Sequence, residues 1–218
     1  IAVLKLNATY LPVHHDTPKD RIERMLEIAK CKTILTDCGF TRTSTVQALH
    51  PNECATFATQ FASKKHNKIA PAYVIFTSGS TGEPKGVLMA HAGPINTIMG
   101  MDEFYPLTKK DAIIQNASIS FDPSVWLIFW PFVHGARIIL PDNATDATHL
   151  CDLINQYKVR VLHAGPALFT GLIQFECFAT LESLRLIIGG GQAWQLNQLK
   201  KLSSTLPNCD FCNVYGPT

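Results

Sequence analysis

Apolar segments of two kinds alternate along the chain and predict an alternation of strands and helices. Short runs of β-branched and aromatic residues predict buried strands, whereas apolar residues at helical spacing predict amphipathic helices. Strands are predicted in segments 32–36, 73–76, 112–117, 137–141, 159–163, 184–193 and 211–215. Helices are predicted in segments 92–104, 145–157 and 194–202, and in segments that begin after residues 17, 122 and 165. This order favours an α/β fold with mainly parallel sheets and flanking helices.

Two of the predicted helices have a recognisable start or inner face. Thr17 is predicted as the N-cap of the first long helix, with Pro18 at its first position and Asp20 as the acidic partner. Its apolar face would consist of Ile22, Met25, Leu26 and Ala29. The inner face of helix 145–157 would consist of Leu150, Leu153, Ile154 and Tyr157. Residues 41–70 carry weaker signals and are interpreted as a variable helix and a connecting loop.

A loop rich in glycine and hydroxyl groups directly follows the predicted strand at 73–76. Glycine lets the backbone approach a ligand closely, and successive backbone N–H groups in such a loop form a nest for anions. The hydroxyl groups add donors and a lysine adds a cation, so the loop is predicted to hold a polyphosphate. A plain surface turn is the alternative interpretation. The predicted ligand-binding residues are Thr77, Ser78, Gly79, Ser80, Thr81, Gly82 and Lys85.

The position of Lys85 distinguishes this loop from a Walker A loop. Lys85 follows Pro84 and precedes Gly86, whereas the Walker A lysine follows a glycine at the start of a helix. A P-loop kinase is therefore excluded. The order Thr-Ser-Gly-Ser-Thr-Gly-x-Pro-Lys-Gly resembles the phosphate loop of the adenylate-forming superfamily, and specifically that of nonribosomal peptide synthetase adenylation domains. The resemblance extends from Leu4 to Thr218 and departs at Asn7 and at His14-His15.

The resemblance implies ATP-dependent activation of a carboxylate with magnesium, followed by transfer of the acyl group to a phosphopantetheine thiol. Lys85 and Thr218 would then be catalytic, with Thr218 near the α-phosphate. The turn Gly191-Gln192-Ala193 is similar to the family's Gly-Glu-Ala turn beside the adenine, with Gln in place of Glu. In the run Asn213-Val-Tyr-Gly216, Asn213 would read the adenine edge and Tyr215 would stack on its face. An ordinary core tyrosine is the alternative for Tyr215.

The family's substrate pocket maps onto seven positions, and Asp122 is the most informative of them. The resemblance implies that Asp122 binds the α-ammonium group of an amino acid. From the residues alone, the alternative is that Asp122 caps the N-terminus of the following helix. Trp126 would fill volume and His163 could hydrogen-bond a small polar, serine-like side chain, or could be a core histidine. Each loop that carries candidate ligand-binding residues follows a predicted strand. This arrangement predicts one composite site at the carboxyl ends of the strands. The seven predicted lining residues are Asp122, Pro123, Trp126, His163, Ile188, Gly190 and Val214.

Composition and charge narrow the range of partners. The net charge of +2 gives no indication of a nucleic-acid or membrane partner, and no apolar run reaches the ~20 residues of a membrane helix. Seven cysteines without a regular framework favour a reduced, cytoplasmic setting. Cys209 and Cys212 form a Cys-x-x-Cys pair without a second ligand pair, so no metal site is predicted there. His14 and His15 could bind a metal, but neighbours in a loop usually point apart, and a solvated turn is the preferred interpretation.

We expect residues 1–218 to be an internal part of an adenylation domain, within its large N-terminal subdomain. The chain begins with Ile1 and stops within the Tyr-Gly-Pro-Thr motif, just before the family's magnesium-binding glutamate. This segment alone should therefore have weak activity or none. The expected partners are an α-amino acid and the peptidyl carrier and condensation domains of the same megasynthase. The alternatives are an acyl- or aryl-CoA ligase of the same superfamily and a non-catalytic nucleotide-binding homologue.

Overall fold

The computed structural model describes residues 1–37, 45–54, 67–78, 83–174 and 180–216. The chain divides into two compact units, residues 1–93 and 94–218. The first unit contains α1 (Ala2–Lys5), α2 (Lys19–Ile28), β1 (Thr33–Leu35), β2 (Gln47–Leu49), α3 (Pro51–Cys54), β3 (Pro71–Ser78) and β4 (Pro84–Ala90). Helix α4 (Ala92–Phe104) begins at the end of this unit. The second unit continues with β5 (Ala112–Ile114), α5 (Pro123–Val133), β6 (Arg137–Ile139), α6 (Ala147–Tyr157), β7 (Val161–His163), α7 (Pro166–Gln174), β8 (Leu186–Gly190), α8 (Leu196–Thr205) and β9 (Asp210–Val214).

Helix α2 buries two of the four residues of the predicted apolar face and begins one residue later than expected. Met25 and Leu26 are buried, and Asp20 lies in the first turn. The prediction of Thr17 as N-cap is wrong: Pro18 has φ −54° and ψ 141°, so it is extended and takes the cap position itself. Lys19 is the first helical residue, and Pro18 supplies no side-chain cap.

The short strand β2 corrects the interpretation of residues 41–70 as helix and loop. It pairs in parallel with β1, with Ile34 opposite Ala48. Its sequence Gln-Ala-Leu is short and has no β-branched residue, so it carries little strand signal. Helix α3 follows it directly. The rest of that predicted helix and loop, at 41–44 and 55–66, lies outside the described residues.

Strands β3 and β4 form an antiparallel hairpin around the glycine-rich loop. Tyr73 and Ile75 of β3 are buried, as the apolar run at 73–76 predicts. The hairpin is a two-stranded sheet of its own and does not join the parallel sheet. The predicted mainly parallel pairing therefore does not include β3, whose partner β4 is antiparallel. A hairpin and a strand-to-helix turn both follow an apolar run, and the run does not distinguish them.

The second unit contains a five-stranded parallel sheet in the order β6-β5-β7-β8-β9, which confirms the α/β prediction. Side chains alternate between the two faces of the sheet. One face carries Ile113, Val161, Leu186 and Ile188 and packs against α5; the other carries Ile114, Leu162 and Ile187 and packs against residues of α6 and α7. Both faces are covered by helices, as the near-continuous apolar strands require.

Two helices of the second unit differ in detail from the prediction. In α6 the inner face is formed by Leu150, Cys151 and Ile154, whereas Tyr157 is 36% exposed and does not point inward as predicted. Helix α8 begins at Leu196, so Trp194 precedes the helix and packs on Phe169, with 4.8 Å between ring centroids. An aromatic residue can satisfy its apolar surface from a loop as well as from a helix, and the apolar pattern does not separate the two cases.

Candidate functional site

The part of the phosphate-loop motif that the structure describes lies on the two strands of the hairpin. Thr77 is paired with Lys85 across the hairpin, and its Oγ1 donates a hydrogen bond to the Lys85 carbonyl oxygen over 3.5 Å. The Lys85 side chain is exposed. Ser78 ends β3, and the predicted ligand residues Gly79, Ser80, Thr81 and Gly82 lie outside the described residues.

An ion pair connects the returning strand of the hairpin to helix α2. Arg24 Nε donates to Glu83 Oε2 over 3.1 Å, and Arg24 Nη1 donates to Glu27 Oε2 over 2.7 Å. All three side chains are exposed. The sequence gives no signal for this contact, because Arg24 and Glu83 are 59 positions apart.

In the second unit, Asp122 stands at the N-cap position of α5 but makes no side-chain capping hydrogen bond. The N-cap alternative for Asp122 is therefore not supported. Ser124 forms a hydrogen bond at this turn instead, since its Oγ donates to the Phe121 carbonyl over 2.6 Å. Trp126 lies one turn after Asp122 on the same side of α5, and Pro123 is the first helical residue.

Trp126 and His163 meet where β7 ends. Their ring centroids are 5.5 Å apart in an edge-on arrangement, and Trp126 is 9% exposed. Burial lowers the pKa of His163 from its ordinary value of 6.5 to about 4, so the imidazole is neutral near pH 7. Asn116 Nδ2 donates to the His163 carbonyl over 2.7 Å and connects the ends of β5 and β7.

The remaining predicted lining residues continue this row on β8 and β9. The parallel register places His163 beside Ile188 and Gly190 beside Val214. Because side chains alternate along a strand, all four positions belong to the sheet face that packs against α5. Ile188 is 1% exposed and is part of the core. A Cβ on Gly190 would lie 3.1 Å from Val214 Cγ2 and 3.3 Å from the Val214 carbonyl oxygen, so glycine permits this close approach.

The predicted adenine-binding residues occupy the ends of β8 and β9. Gly191 has φ +83°, a left-handed conformation that favours glycine, and begins an exposed turn through Gln192 and Ala193. Asn213 is exposed on β9. Tyr215 is 98% exposed, so the alternative of a core tyrosine is wrong. Gly216 follows it, and Thr218 lies outside the described residues.

A match to a known family covers the whole chain. The AMP-binding enzyme family matches residues 1–218. The chain belongs to the AMP-binding enzyme family. Indigoidine synthase from Dickeya dadantii is 32% identical to it over 231 residues, a match that covers 99% of this chain and 16% of the relative. The resemblance to nonribosomal peptide synthetases is confirmed.

Solved structures of nonribosomal peptide synthetases share the fold of this AMP-binding chain. FmoA3 matches with a TM-score of 0.90 and 25% identity, covering 99% of this chain and 24% of FmoA3. Its form with bound alpha-methyl-L-serine-AMP matches with a TM-score of 0.87, 24% identity and coverage of 99% and 25%. The Klebsiella oxytoca NpsA N-terminal subdomain, in complex with 3-hydroxybenzoyl-AMSN, matches with a TM-score of 0.86, 24% identity and coverage of 99% and 55%. The chain thus spans only part of each of these proteins.

Two features of this AMP-binding chain near the predicted site carry no sequence signal. The Trp194 indole lies directly over Gly189, where any Cβ would collide with its ring. Asn116 Oδ1 and Ser120 Oγ are buried, and in the described part of the chain they have no hydrogen-bond partner. Both belong to the segment between β5 and α5 that leads to Asp122. Only three-dimensional packing places these groups, so sequence reasoning missed them.

Other candidate features of the AMP-binding chain do not form part of the predicted site. An open cleft of about 780 Å³ in the first unit is lined by residues of α2 and of the segments before β1 and β2, among them Arg24, Glu27 and Cys31. None of its described lining residues is a predicted site residue. Cys209 is buried and unpaired, and its burial raises the pKa of the thiol to about 12. Cys212 is also a free thiol. None of the described helices is long and apolar enough to cross a membrane.

Proposed function

We propose that the chain forms part of an adenylation domain that activates an α-amino acid with ATP for nonribosomal peptide synthesis. The acid would attack the α-phosphate, forming an aminoacyl-adenylate and releasing pyrophosphate, and the aminoacyl group would then pass to a phosphopantetheine thiol on a carrier domain. The proposal rests mainly on one observation. Two of the pocket residues, Asp122 and Trp126, lie at the start of α5. Two others, His163 and Gly190, lie on the sheet face that packs against this helix.

Asp122 would bind the α-ammonium group of the substrate. It is half-buried at the start of α5, and its carboxylate does not cap the helix. A desolvated carboxylate–ammonium pair is costly to break, at about 2–5 kcal/mol. Loss of this carboxylate should therefore lower activity roughly 30- to 5000-fold.

His163, Trp126 and Gly190 favour a small polar side chain on the substrate, as in serine. The neutral imidazole of His163 can donate or accept a hydrogen bond, and the Trp126 ring limits the space beside it. FmoA3, which shares the fold, has been solved with alpha-methyl-L-serine-AMP, and this supports a serine-like substrate. The close approach of Gly190 and Val214 also fits a small side chain.

The hairpin would bind the triphosphate of ATP. In-line attack by a carboxylate on phosphate brings like charges together, so positive charge at the site lowers the barrier. Lys85 fits this role because its side chain is exposed and forms no ion pair with the described residues. Thr77 lies opposite Lys85, and its hydroxyl would exchange its 3.5 Å hydrogen bond to the Lys85 carbonyl for one to a phosphate oxygen. Mg²⁺ would accompany the phosphates and neutralise part of their charge; no ligand to it is assigned within this chain.

The turn Gly191–Ala193, together with Asn213, Tyr215 and Gly216, would hold the adenosine. A tyrosine that is 98% exposed at the end of a strand is free to stack on a planar base. The Asn213 amide offers both a donor and an acceptor to the adenine edge. Thr218 would lie near the α-phosphate, as the motif implies.

The test is amino-acid-dependent ATP–pyrophosphate exchange, measured on protein made from the complete gene. The panel contains all twenty amino acids and α-methylserine, with the Asp122→Ala variant and an Asp152→Ala control that removes an exposed carboxylate of α6. Exchange with serine or a similar amino acid, lost in Asp122→Ala and kept in Asp152→Ala, is the expected result. Exchange only with aryl or fatty acids would favour a CoA ligase. ATP binding without exchange would favour a non-catalytic homologue.

A further inference from the structure

The loop before α2 brings two imidazoles and a carboxylate together. The ring centroids of His14 and His15 are 4.2 Å apart, so the prediction that these neighbours point apart is wrong. Asp16 lies beside both: His14 Nδ1 is 3.6 Å from Asp16 Oδ2, and His15 Nε2 is 3.3 Å from Asp16 Oδ1. One nitrogen of each ring and one oxygen of Asp16 all lie within 4.8 Å of one another.

These separations suit a shared metal ion. Nitrogen and oxygen ligands lie ~2.1 Å from a tetrahedral zinc-like ion, which places neighbouring ligand atoms ~3.4 Å apart. The distance from His14 Nδ1 to Asp16 Oδ2, 3.6 Å, and that from His15 Nε2 to Asp16 Oδ1, 3.3 Å, are each close to that value, and they end on the two oxygens of one carboxylate. His15 and Asp16 are exposed and His14 is half-buried, so an ion can reach all three side chains from solvent. Small rotations of the His14 and His15 rings would bring all three ligand atoms to a common ion.

We propose that His14, His15 and Asp16 bind a divalent first-row transition metal ion such as Ni²⁺ or Zn²⁺. Imidazole ligands favour these ions, whereas Mg²⁺ and Ca²⁺ prefer oxygen ligands alone. The site is independent of the proposed adenylation chemistry. It lies directly before the N-cap Pro18, so a bound ion would fix the loop that leads into α2.

One existing contact must give way to the metal. The backbone N–H of Asp16 donates to His14 Nδ1 over 3.3 Å. This distance exceeds the usual range for such bonds, so the hydrogen bond is weak and a metal–imidazole bond can replace it.

The experiment is a calorimetric titration of untagged protein with Ni²⁺ in a non-coordinating buffer. The variants are His15→Ala and Asp16→Asn, and the matched control is His50→Ala. Like His14, His50 accepts a backbone N–H from two positions further on, here Asn52 over 3.2 Å, but it is not a member of the His14–His15–Asp16 cluster. We expect one Ni²⁺ per chain with a micromolar Kd, weakened roughly tenfold or more in the two cluster variants and unchanged in the control.

Two results would overturn the proposal. One is the absence of any binding by the wild-type protein at millimolar Ni²⁺. The other is an identical isotherm for the wild-type protein and both cluster variants, which would assign binding to other groups such as the cysteines. Circular dichroism spectra of all variants without metal should coincide, because the substituted side chains are on the surface.

Discussion

Two aspartates at helix starts, Asp122 and Asp146, have different local roles. Asp146 caps α6, since its Oδ1 accepts hydrogen bonds from Thr148 N and His149 N over 2.9 Å and 3.2 Å. Asp122 makes no side-chain capping hydrogen bond at the start of α5. We expect Asp146→Ala to lower the free energy of unfolding by about 1 kcal/mol through the loss of its cap. Asp122→Ala breaks no such capping bond and should lower it by less, while it removes the proposed ammonium-binding group.

Urea denaturation of the two aspartate variants measures this difference. An Asp122→Ala protein destabilised as strongly as Asp146→Ala would show that Asp122 stabilises the helix after all. Its effect on exchange would then be attributable to local unfolding, so the stability measurement must accompany the activity assay.

His163 gives the protein a specific sensitivity to acid. Its pKa is about 4 in the folded protein and 6.5 ordinarily, so above pH 6.5 the imidazole is neutral in both states. As the pH falls from 6.5 towards 4, the unfolded chain binds the proton first and the folded state loses relative stability. At pH 4.5 this loss is roughly 2.5 kcal/mol.

The check is denaturation of wild type and His163→Gln at pH 7.5 and pH 4.5. The other titratable groups are the same in both proteins. The difference between the two proteins in the loss of unfolding free energy therefore isolates the contribution of His163. The wild-type protein should lose roughly 2 kcal/mol more than the variant between the two pH values. Equal losses would mean that His163 is accessible to water and protonates freely in the folded state.

At the scale of elements, one buried carboxylate joins the amino ends of three parallel strands. Asp111 precedes β5, is 1% exposed, and lies 3.3 Å from both Arg160 Nε beside β7 and Arg185 Nε beside β8. Burial alone would raise the pKa of Asp111, but hydrogen bonds from Thr108 and the Arg185 guanidinium outweigh it and hold the pKa below its ordinary value.

We expect Asp111→Ala to lower the free energy of unfolding by roughly 3 kcal/mol, the low end for a broken buried pair, because Arg160 is partly exposed. Asp142→Ala, which removes an exposed carboxylate near β6, is the control and should have little effect. The folded pKa is depressed, so this stability is present above the ordinary pKa and is lost as the pH falls through the folded value. The measurement is urea denaturation at pH 7. A free energy of unfolding equal to that of wild type in both variants would contradict the prediction.

The sequence predicts an element well where its apolar pattern extends over several residues. It predicts an element poorly where the structure of that element depends on pairing with a distant strand. All the strands of the parallel sheet were predicted, because runs such as Leu186–Gly190 are continuous and apolar. The three-residue strand β2 was not, since Gln47–Leu49 acquires its structure only by pairing with β1. The direction of β4 after the glycine-rich loop is likewise fixed by its pairing with β3 and not by its own residues.

At the scale of the whole molecule, the chain contains two units with different sheets. The hairpin with Lys85 belongs to the first unit, and the parallel sheet with Asp122 and His163 belongs to the second. Motif order along the sequence predicted the family, which is confirmed, whereas the pocket positions remain a prediction. The register of β7, β8 and β9 places four of those positions on one face of the sheet. The Trp126–His163 contact and the Asp111 cluster required the folded structure, because each joins residues far apart in the sequence.

The indole of Trp194 over Gly189 also serves as an intrinsic fluorescence probe. Trp194 lies between the rings of Phe169 and Phe211, one residue after the exposed turn 191–193. Its Nε1 is buried, and within the described part of the chain no acceptor lies in reach. Indole emission responds to the polarity of its surroundings, so any ligand that rearranges this turn should change the colour and intensity of the protein's fluorescence. Occupancy of the turn could then be followed in solution without attaching a label.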